Sequence, residues 1–407
     1  NDGPLNGTAQ NSSALVRNNK SIKHAYYTYY GADEQAKWGE VIKNSVFDYG
    51  DITSQNTSKY TIMVAPITAS PDGNATTAVY SEANGNIMSY RLIDGVWSNE
   101  VNLTTIGADI MYHSLSSYGK NILAAGLGVG DTQAPYYAYS LNGGETWTVT
   151  GEEIEDSTYN IREYVRNLPE VTYFTDGTAM MVYQDVATEY NYYVLWNGTG
   201  WDGTGLVSDY SGAVADIAPL LDGKGFVAYT NYTGSHDVFV AEWNGSALIN
   251  HQNLDGSNND VTDSNFLRIS CNHEENCILV YKDSSDYLEY AFYNGTWNSA
   301  ANQDVDGAET WGYVTTTYTD WDVAMDDTGD ALLMWSNRNL AEDNLEYAIF
   351  NWTTKTWTRG TRDAGDTYAS TYGDFVRVAL VPGTVPNAPP SQLQLRLAPT
   401  SPGTLDN

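Results

Sequence analysis

An all-β fold is predicted for this chain of 407 residues, and three observations predict it. The composition is aromatic and turn-rich, with 32 Tyr and 36 Gly, which suits pleated, half-buried surfaces better than helices. Short apolar runs are separated by Asn-Gly and Asp-Gly pairs, which accept the φ > 0 of tight hairpins. One unit also recurs: strand, polar link, strand, Asn/Gly turn, aromatic. It is read in residues 177–201 (GTAMMVYQDVATEYNYYVLWNGTGW), 223–248, 276–297 and 329–357.

The residues that close each unit are Trp38, Trp97, Trp147, Trp201, Leu248, Trp297 and Trp357, at spacings of 59, 50, 54, 47, 49 and 60. Repeats of about 40–50 residues with four strands each are the mark of a β-propeller. One four-stranded sheet cannot cover both its faces, whereas sheets stacked radially cover one another. The expectation is a seven-bladed β-propeller of four-stranded antiparallel blades, its ring closed by C-terminal strands. Two stacked sandwiches would not explain the recurrence.

The units follow in order. Unit one has His24–Tyr30 and Lys37–Ile42 only. Unit two starts at Thr61–Ile67 and continues through residues 76–82 and 86–93 to the Asp94-Gly95 turn and Trp97. Unit three uses residues 109–115, 121–128 and 135–140; unit four 170–175, 179–185 and 191–196; unit five 216–221, 225–230 and 237–243. Unit six has residues 266–270, 277–283 and 288–293, and unit seven 322–325, 330–335 and 345–350. The propeller is expected over residues 21–381. Residues 1–20 are a polar N-terminal extension with too little apolar surface to offset the entropy of ordering. Residues 382–407 form a Pro/Ser/Thr-rich tail. Unit one lacks two inner strands. Asp374–Val381 and the alternating segment 392–398 (QLQLRLA) supply candidates, and the second either closes the ring or is donated to another molecule.

Asp and Glu outnumber Lys and Arg by 51 to 19, a formal charge of -32. This excludes the positive footprint that nucleic acid or an anionic membrane surface requires. No apolar run reaches the roughly 20 residues of a membrane-spanning helix, and the segment is read as a mature form without signal peptide. Cys271 and Cys277 flank a short polar run, as a hairpin disulfide would, with two free thiols as the other reading. Sequons for N-glycosylation occur at Asn6, Asn11, Asn56, Asn74, Asn102, Asn197, Asn231, Asn244, Asn294 and Asn351, several of them on predicted turns. Together these features point to an extracellular or cell-surface glycoprotein.

Ser140, Asn142, Gly144 and Trp147 form the pattern S-x-[D/N]-x-G-x-x-W. This resembles the Asp-box of the sialidase-like propeller superfamily. The resemblance covers one turn closely and the repeats of residues 61–357 loosely. It implies a structural turn between third and fourth strands, in which the Asp or Asn caps backbone groups and the Trp tucks between blades. It does not bring the catalytic arginine triad with it. Arg268 and Arg377 lie on predicted innermost strands and Arg166 just before one, but no Arg-Ile-Pro-like segment opens the first inner strand.

Other chemistry is sparsely marked. Asp109, Asp216, Asp322 and Asp374 each start an inner strand and would ring one mouth of the channel, as a cation or sugar site or as caps of their own turns. Asp255, Asp260 and Asp263, and Asp326, Asp327 and Asp330, cluster oxygen donors that suit calcium, without the EF-hand spacing. Calcium is thus the one cofactor considered. The histidines His24, His113, His236, His251 and His273 have no zinc-ligand spacing. Phosphate-binding and dinucleotide-binding loops and the nucleophile elbow are absent. The Tyr runs at 26–30, 136–139 and 190–193 pack between blades or form a sugar- or protein-binding surface.

No catalytic residues are assigned. The leading expectation is a non-enzymatic structural protein, a surface-layer or filament subunit that forms homo-oligomers through its terminal extensions. A secreted propeller that binds a glycan or a surface protein, an adhesin, is the alternative. A glycoside hydrolase or lyase ranks third.

Overall fold

The computed structural model describes residues 21–30, 33–42, 45–51, 67–69, 75–81, 86–93, 96–103, 110–128, 135–154, 169–185, 187–212, 215–231, 237–254, 267–272, 274–282, 288–298, 305, 321–326, 328–339, 342–360 and 376–380. The first strands are β1 (Ser21–Tyr30), β2 (Asp33–Ile42) and β3 (Ser45–Asp51), then β4 (Ile67–Ala69), β5 (Ala75–Ser81), β6 (Asn86–Ile93) and β7 (Val96–Asn102). Next come β8 (Ile110–Tyr118), β9 (Asn121–Gly128), β10 (Pro135–Ser140) and β11 (Thr148–Glu153). They are followed by β12 (Glu170–Tyr173), β13 (Ala179–Gln184), β14 (Tyr190–Trp196) and β15 (Trp201–Ser211). A further sheet has β16 (Ala215–Pro219), β17 (Gly225–Asn231), β18 (Asp237–Trp243) and β19 (Leu248–Asn253). The last are β20 (Leu267–Cys271), β21 (Cys277–Lys282), β22 (Leu288–Tyr293), β23 (Trp297–Asn298), β24 (Trp321–Met325), β25 (Ala331–Asn339), β26 (Glu342–Asn351), β27 (Thr356–Gly360) and β28 (Val376–Leu380).

Backbone pairing arranges these strands in four-stranded antiparallel sheets, seven in number, six of consecutive strands and one in the order β28-β1-β2-β3. Burial follows position within a sheet. The second strands β13, β17 and β21 are buried at every residue, because a neighbouring blade covers each face. The fourth strand β19 has no fully buried residue and lies at the rim. The strands read as apolar runs near the axis and as polar segments outside it for this reason.

The sheets are joined by cores of side chains from neighbouring pairs. Phe174, Met180, Val182, Ile217, Val227 and Trp243 fill one such core, and Ile278, Val280, Phe292, Trp321, Leu333 and Phe350 another. Trp196, Trp321 and Trp335 are among the largest fully buried side chains. Truncating any of them to Ala would remove about 3–5 kcal/mol. The aromatics that open fourth strands bind the preceding blade edge-on. Trp201 meets Tyr137 at 5.7 Å, Trp297 meets Phe226 at 5.3 Å, and Trp357 meets Tyr290 at 5.7 Å. Such pairs add about 0.5–1.5 kcal/mol beyond area burial.

The expected seven-bladed ring is narrowed to what side-chain packing carries among the described residues: five cores, which join six of the sheets in succession from β4–β7 to β24–β27. What the structure supports is an all-β propeller of four-stranded blades, with five packed interfaces among the described residues.

Three details of the first sheet also differ from expectation. It has three N-terminal strands rather than two. Segment 45–51 (SVFDYGD) was not read as a strand because it is polar and ends in Gly50-Asp51. A single C-terminal strand completes it: β28 pairs with β1 from Ile22↔Leu380 to Tyr26↔Val376, and segment 392–398 lies outside the described residues. Trp38 lies within β2, opposite Ala25. The other marker residues sit at or beside the start of a fourth strand, so Trp38 is not their equivalent.

Candidate functional site

Inner strands β12, β16, β20 and β24 lie side by side. Each carries, at its first or second position, a charged residue followed by an apolar one: Glu170-Val171, Asp216-Ile217, Arg268-Ile269 and Asp322-Val323. Alternation along a strand sends the apolar partner into the blade core and the charged one toward the axis. Four charges from four successive blades thereby meet at one end of the axis. Arg268 Nη2 lies 3.3 Å from Glu170 Oε1, and Arg268 Nε lies 3.9 Å from Asp322 Oδ1. The Arg268 side chain is 5% exposed, while those of Glu170 and Asp322 are 12% and 13% exposed. The guanidinium is thus the most covered of the three, and the two carboxylates are slightly more exposed.

Asp216 is held from two sides. Its Oδ1 accepts from Ile217 N at 2.8 Å, and its Oδ2 accepts from Ile269 N of the next blade at 2.9 Å. Burial pushes its carboxyl up to about 7, against the pull of Arg268, and the negative charges of Glu170 and Asp322 add to the rise. Asp322 repeats the local bond, accepting from Val323 N at 2.9 Å. Capping of the strand start and convergence on the axis thus coexist in the same residues. Serines stitch neighbouring inner strands in similar fashion: Val171 N donates to Ser114 Oγ and Met325 N to Ser270 Oγ, both at 3.0 Å.

Of the residues singled out from the sequence, Asp216, Asp322 and Arg268 come together here. Asp109, Asp374 and Arg166 lie outside the described residues, and Arg377 is placed in β28 by its backbone. Glu170 was missed. Its signal was its place at the head of 170–175, matching Asp216 at the head of 216–221.

The 140–147 turn joins β10 to β11. Ser140 Oγ accepts from Asn142 N at 3.3 Å and Gly144 N at 2.8 Å, and donates to Asn142 Oδ1 at 2.9 Å. Asn142 Oδ1 also accepts from Thr146 N at 2.9 Å. Gly144 has φ +79°, and a Cβ there would lie 3.1 Å from Thr76 Oγ1 and 3.3 Å from Arg91 Cγ of the preceding sheet. Trp147 packs beside Val101 and Leu115 against the core of Leu103, Ala124, Tyr136 and Ala138.

Cys271 and Cys277 form a disulfide between directly paired residues at the end of the β20–β21 hairpin. Asp326 and Asp330 have structural partners. Asp326 Oδ1 accepts from Thr328 N, Thr328 Oγ1 and Asp330 N, and Asp330 Oδ1 accepts from Trp352 N at 2.7 Å. Asp255, Asp260, Asp263 and Asp327 lie outside the described residues. Among the described residues no group of three or more His, Cys, Asp or Glu is arranged to hold a metal. Nor is any helix there long and apolar enough to cross a membrane. Among the sequons, Asn197, Asn244 and Asn294 are exposed at turn tips and Asn102 at the end of β7, while Asn231 and Asn351 are buried at 7% and 8%. Asn74 lies outside the described residues, as do Asn6, Asn11 and Asn56.

No protein-family model and no curated protein matches the chain. Solved structures do. The BP39L lectin from Burkholderia pseudomallei aligns with a TM-score of 0.58 at 9% identity, over 83% of this chain and 94% of the lectin. AofleA from Arthrobotrys oligospora aligns with a TM-score of 0.50 at 10% identity, over 80% of this chain and 92% of AofleA. A puromycin hydrolase aligns with a TM-score of 0.54 at 12% identity, over 84% of this chain but only 53% of the hydrolase. The chain is a β-propeller. At these identities the likeness extends to the fold, and the propeller spans about half the length of the hydrolase.

Proposed function

We propose that this β-propeller is an extracellular glycan-binding protein whose ligand sits at the axial mouth formed by Glu170, Asp322 and Arg268. The convergence of those charges from separate blades carries the reading. Partly open carboxylates accept hydrogen bonds from vicinal sugar hydroxyls, and a covered guanidinium fixes their orientation without offering itself to solvent. The lectin from Burkholderia pseudomallei, aligned over nearly its whole length, supports this use of the fold. The Cys271–Cys277 disulfide supports an oxidising compartment. The Ser140–Asn142 turn supports kinship with Asp-box propellers, as a structural element.

The test is a glycan array followed by calorimetry on the intact chain and on Glu170→Gln and Asp322→Asn. Weakening of at least tenfold in both variants, each still folded at the assay temperature, supports the axial site. Undiminished binding moves the site elsewhere on the ring, and no binding to any glycan ends the reading.

Asp216 favours a second reading, glycan cleavage. It is a buried carboxyl raised toward neutrality beside two other carboxylates, the environment in which one acid holds a proton and another stays ionised. New reducing ends from a polysaccharide panel, lost in Asp216→Asn, would support it. Assembly into filaments would run through residues 1–20 and 382–407, which lie outside the described residues; glycan binding is preferred because the axial charges and the alignment with the lectin bear on it.

A further inference from the structure

We propose that Asn197, Asn244 and Asn294 are N-glycan attachment sites that coat one end of the ring, and that Asn231 and Asn351 remain unmodified. The three share the sequence Asn-Gly-Thr/Ser and the same place, the turn between third and fourth strands of successive sheets: β14–β15, β18–β19 and β22–β23. All three asparagines are exposed.

The turns leave room for a bulky substituent. A Cβ added at Gly198 or at Gly295 would meet nothing within 4 Å. Asn197 Oδ1 accepts from Thr199 N, Thr199 Oγ1 and Gly200 N, each at 3.0 Å. Asn244 Oδ1 accepts from Ser246 N and Ser246 Oγ at 3.0 Å and from Ala247 N at 2.9 Å. In a planar amide the nitrogen lies on the side opposite the oxygen. With the oxygen turned into the hairpin, the nitrogen that carries a glycan is turned away from it.

The two buried sequons differ. Asn231 ends β17, a strand buried along its length. Asn351 makes the same kind of turn, accepting from Thr353 N and Thr354 N. However, Trp352 closes over Gly329, and Lys355 Nζ lies over the Trp352 ring. A sugar there would have to displace both.

Register places the coat. In one sheet Tyr173, Ala179 and Trp196 are aligned at one end and Glu170, Val182 and Tyr193 toward the other. The Asn197 turn is therefore at the end away from Glu170, and the same alternation holds in the next two sheets. Glycans on the three tips leave the axial mouth uncovered. The inference stands independently of what the mouth binds.

The test is intact-glycopeptide mass spectrometry of the full chain secreted through an N-glycosylating pathway, with Thr199→Ala, Ser246→Ala and Thr296→Ala alongside. These variants keep each asparagine but abolish its acceptor motif. The expected result is glycan on all three tip peptides, bare Asn231 and Asn351, and loss of one glycan's mass in each variant of a still-folded protein. Bare tip peptides, or glycan on Asn231 or Asn351 in folded protein, would overturn the proposal.

Discussion

Arg268 pairs with Glu170 across an intervening blade: Arg268 is the second residue of β20, Glu170 the first of β12, and β16 stands between those strands. The pair therefore belongs to the axis rather than to one blade interface.

Replacing Arg268 by Met leaves Glu170, Asp216 and Asp322 facing one another without a covered cation. Breaking a buried pair from one side costs about 3–5 kcal/mol. Denaturant unfolding at neutral pH should show a loss of that size. A double change of Arg268→Met with Glu170→Gln should recover part of it, because the like-charge contact is relieved.

Asp216 sets a pH dependence of known sign. Its folded value, about 7, lies above the roughly 3.9 of an unfolded aspartate, so the folded state holds the proton more tightly. Stability is gained as pH falls from about 7 toward 4 and lost as pH rises through the same window. Unfolding free energies measured between pH 4 and 8 should follow this slope, and Asp216→Asn should flatten it.

Ser140 is 1% exposed and its hydroxyl receives two backbone N–H groups. Ser140→Ala strands both donors, at about 1–3 kcal/mol. Gly144→Ala adds a different fault, since its φ is positive and Thr76 stands in the way. Both variants should lower the urea midpoint without changing the slope of the transition.

The Cys271–Cys277 bridge closes a loop with a sequence separation of only 6. Loop-closure entropy for so short a ring amounts to about 2 kcal/mol. The double Cys→Ala variant should lose no more than that. It should also unfold with the same cooperativity, which equilibrium denaturation by two probes would check.

Local patterns were legible in the sequence and long-range convergence was not. The Ser140–Trp147 turn closes within eight residues, so its spacing alone displayed the bonds it makes. Trp201, Trp297 and Trp357 announced their strands because an Asn-led turn precedes each of them. Trp38 shared the residue type without that turn, and it lies in β2. Segment 45–51 has too few apolar positions to read as a strand, although β2 holds it in register. Glu170 looked ordinary because its partner lies 98 positions away in Arg268, and only the circular arrangement of inner strands brings the two together.

The pairing of β28 with β1 has a consequence for biosynthesis. Residues 21–30 leave the ribosome long before residues 376–380. Until then β1 has one edge unpaired, available to any passing strand. Nascent chains of this protein thus carry an open edge through most of translation, and it closes only when residues 376–380 arrive.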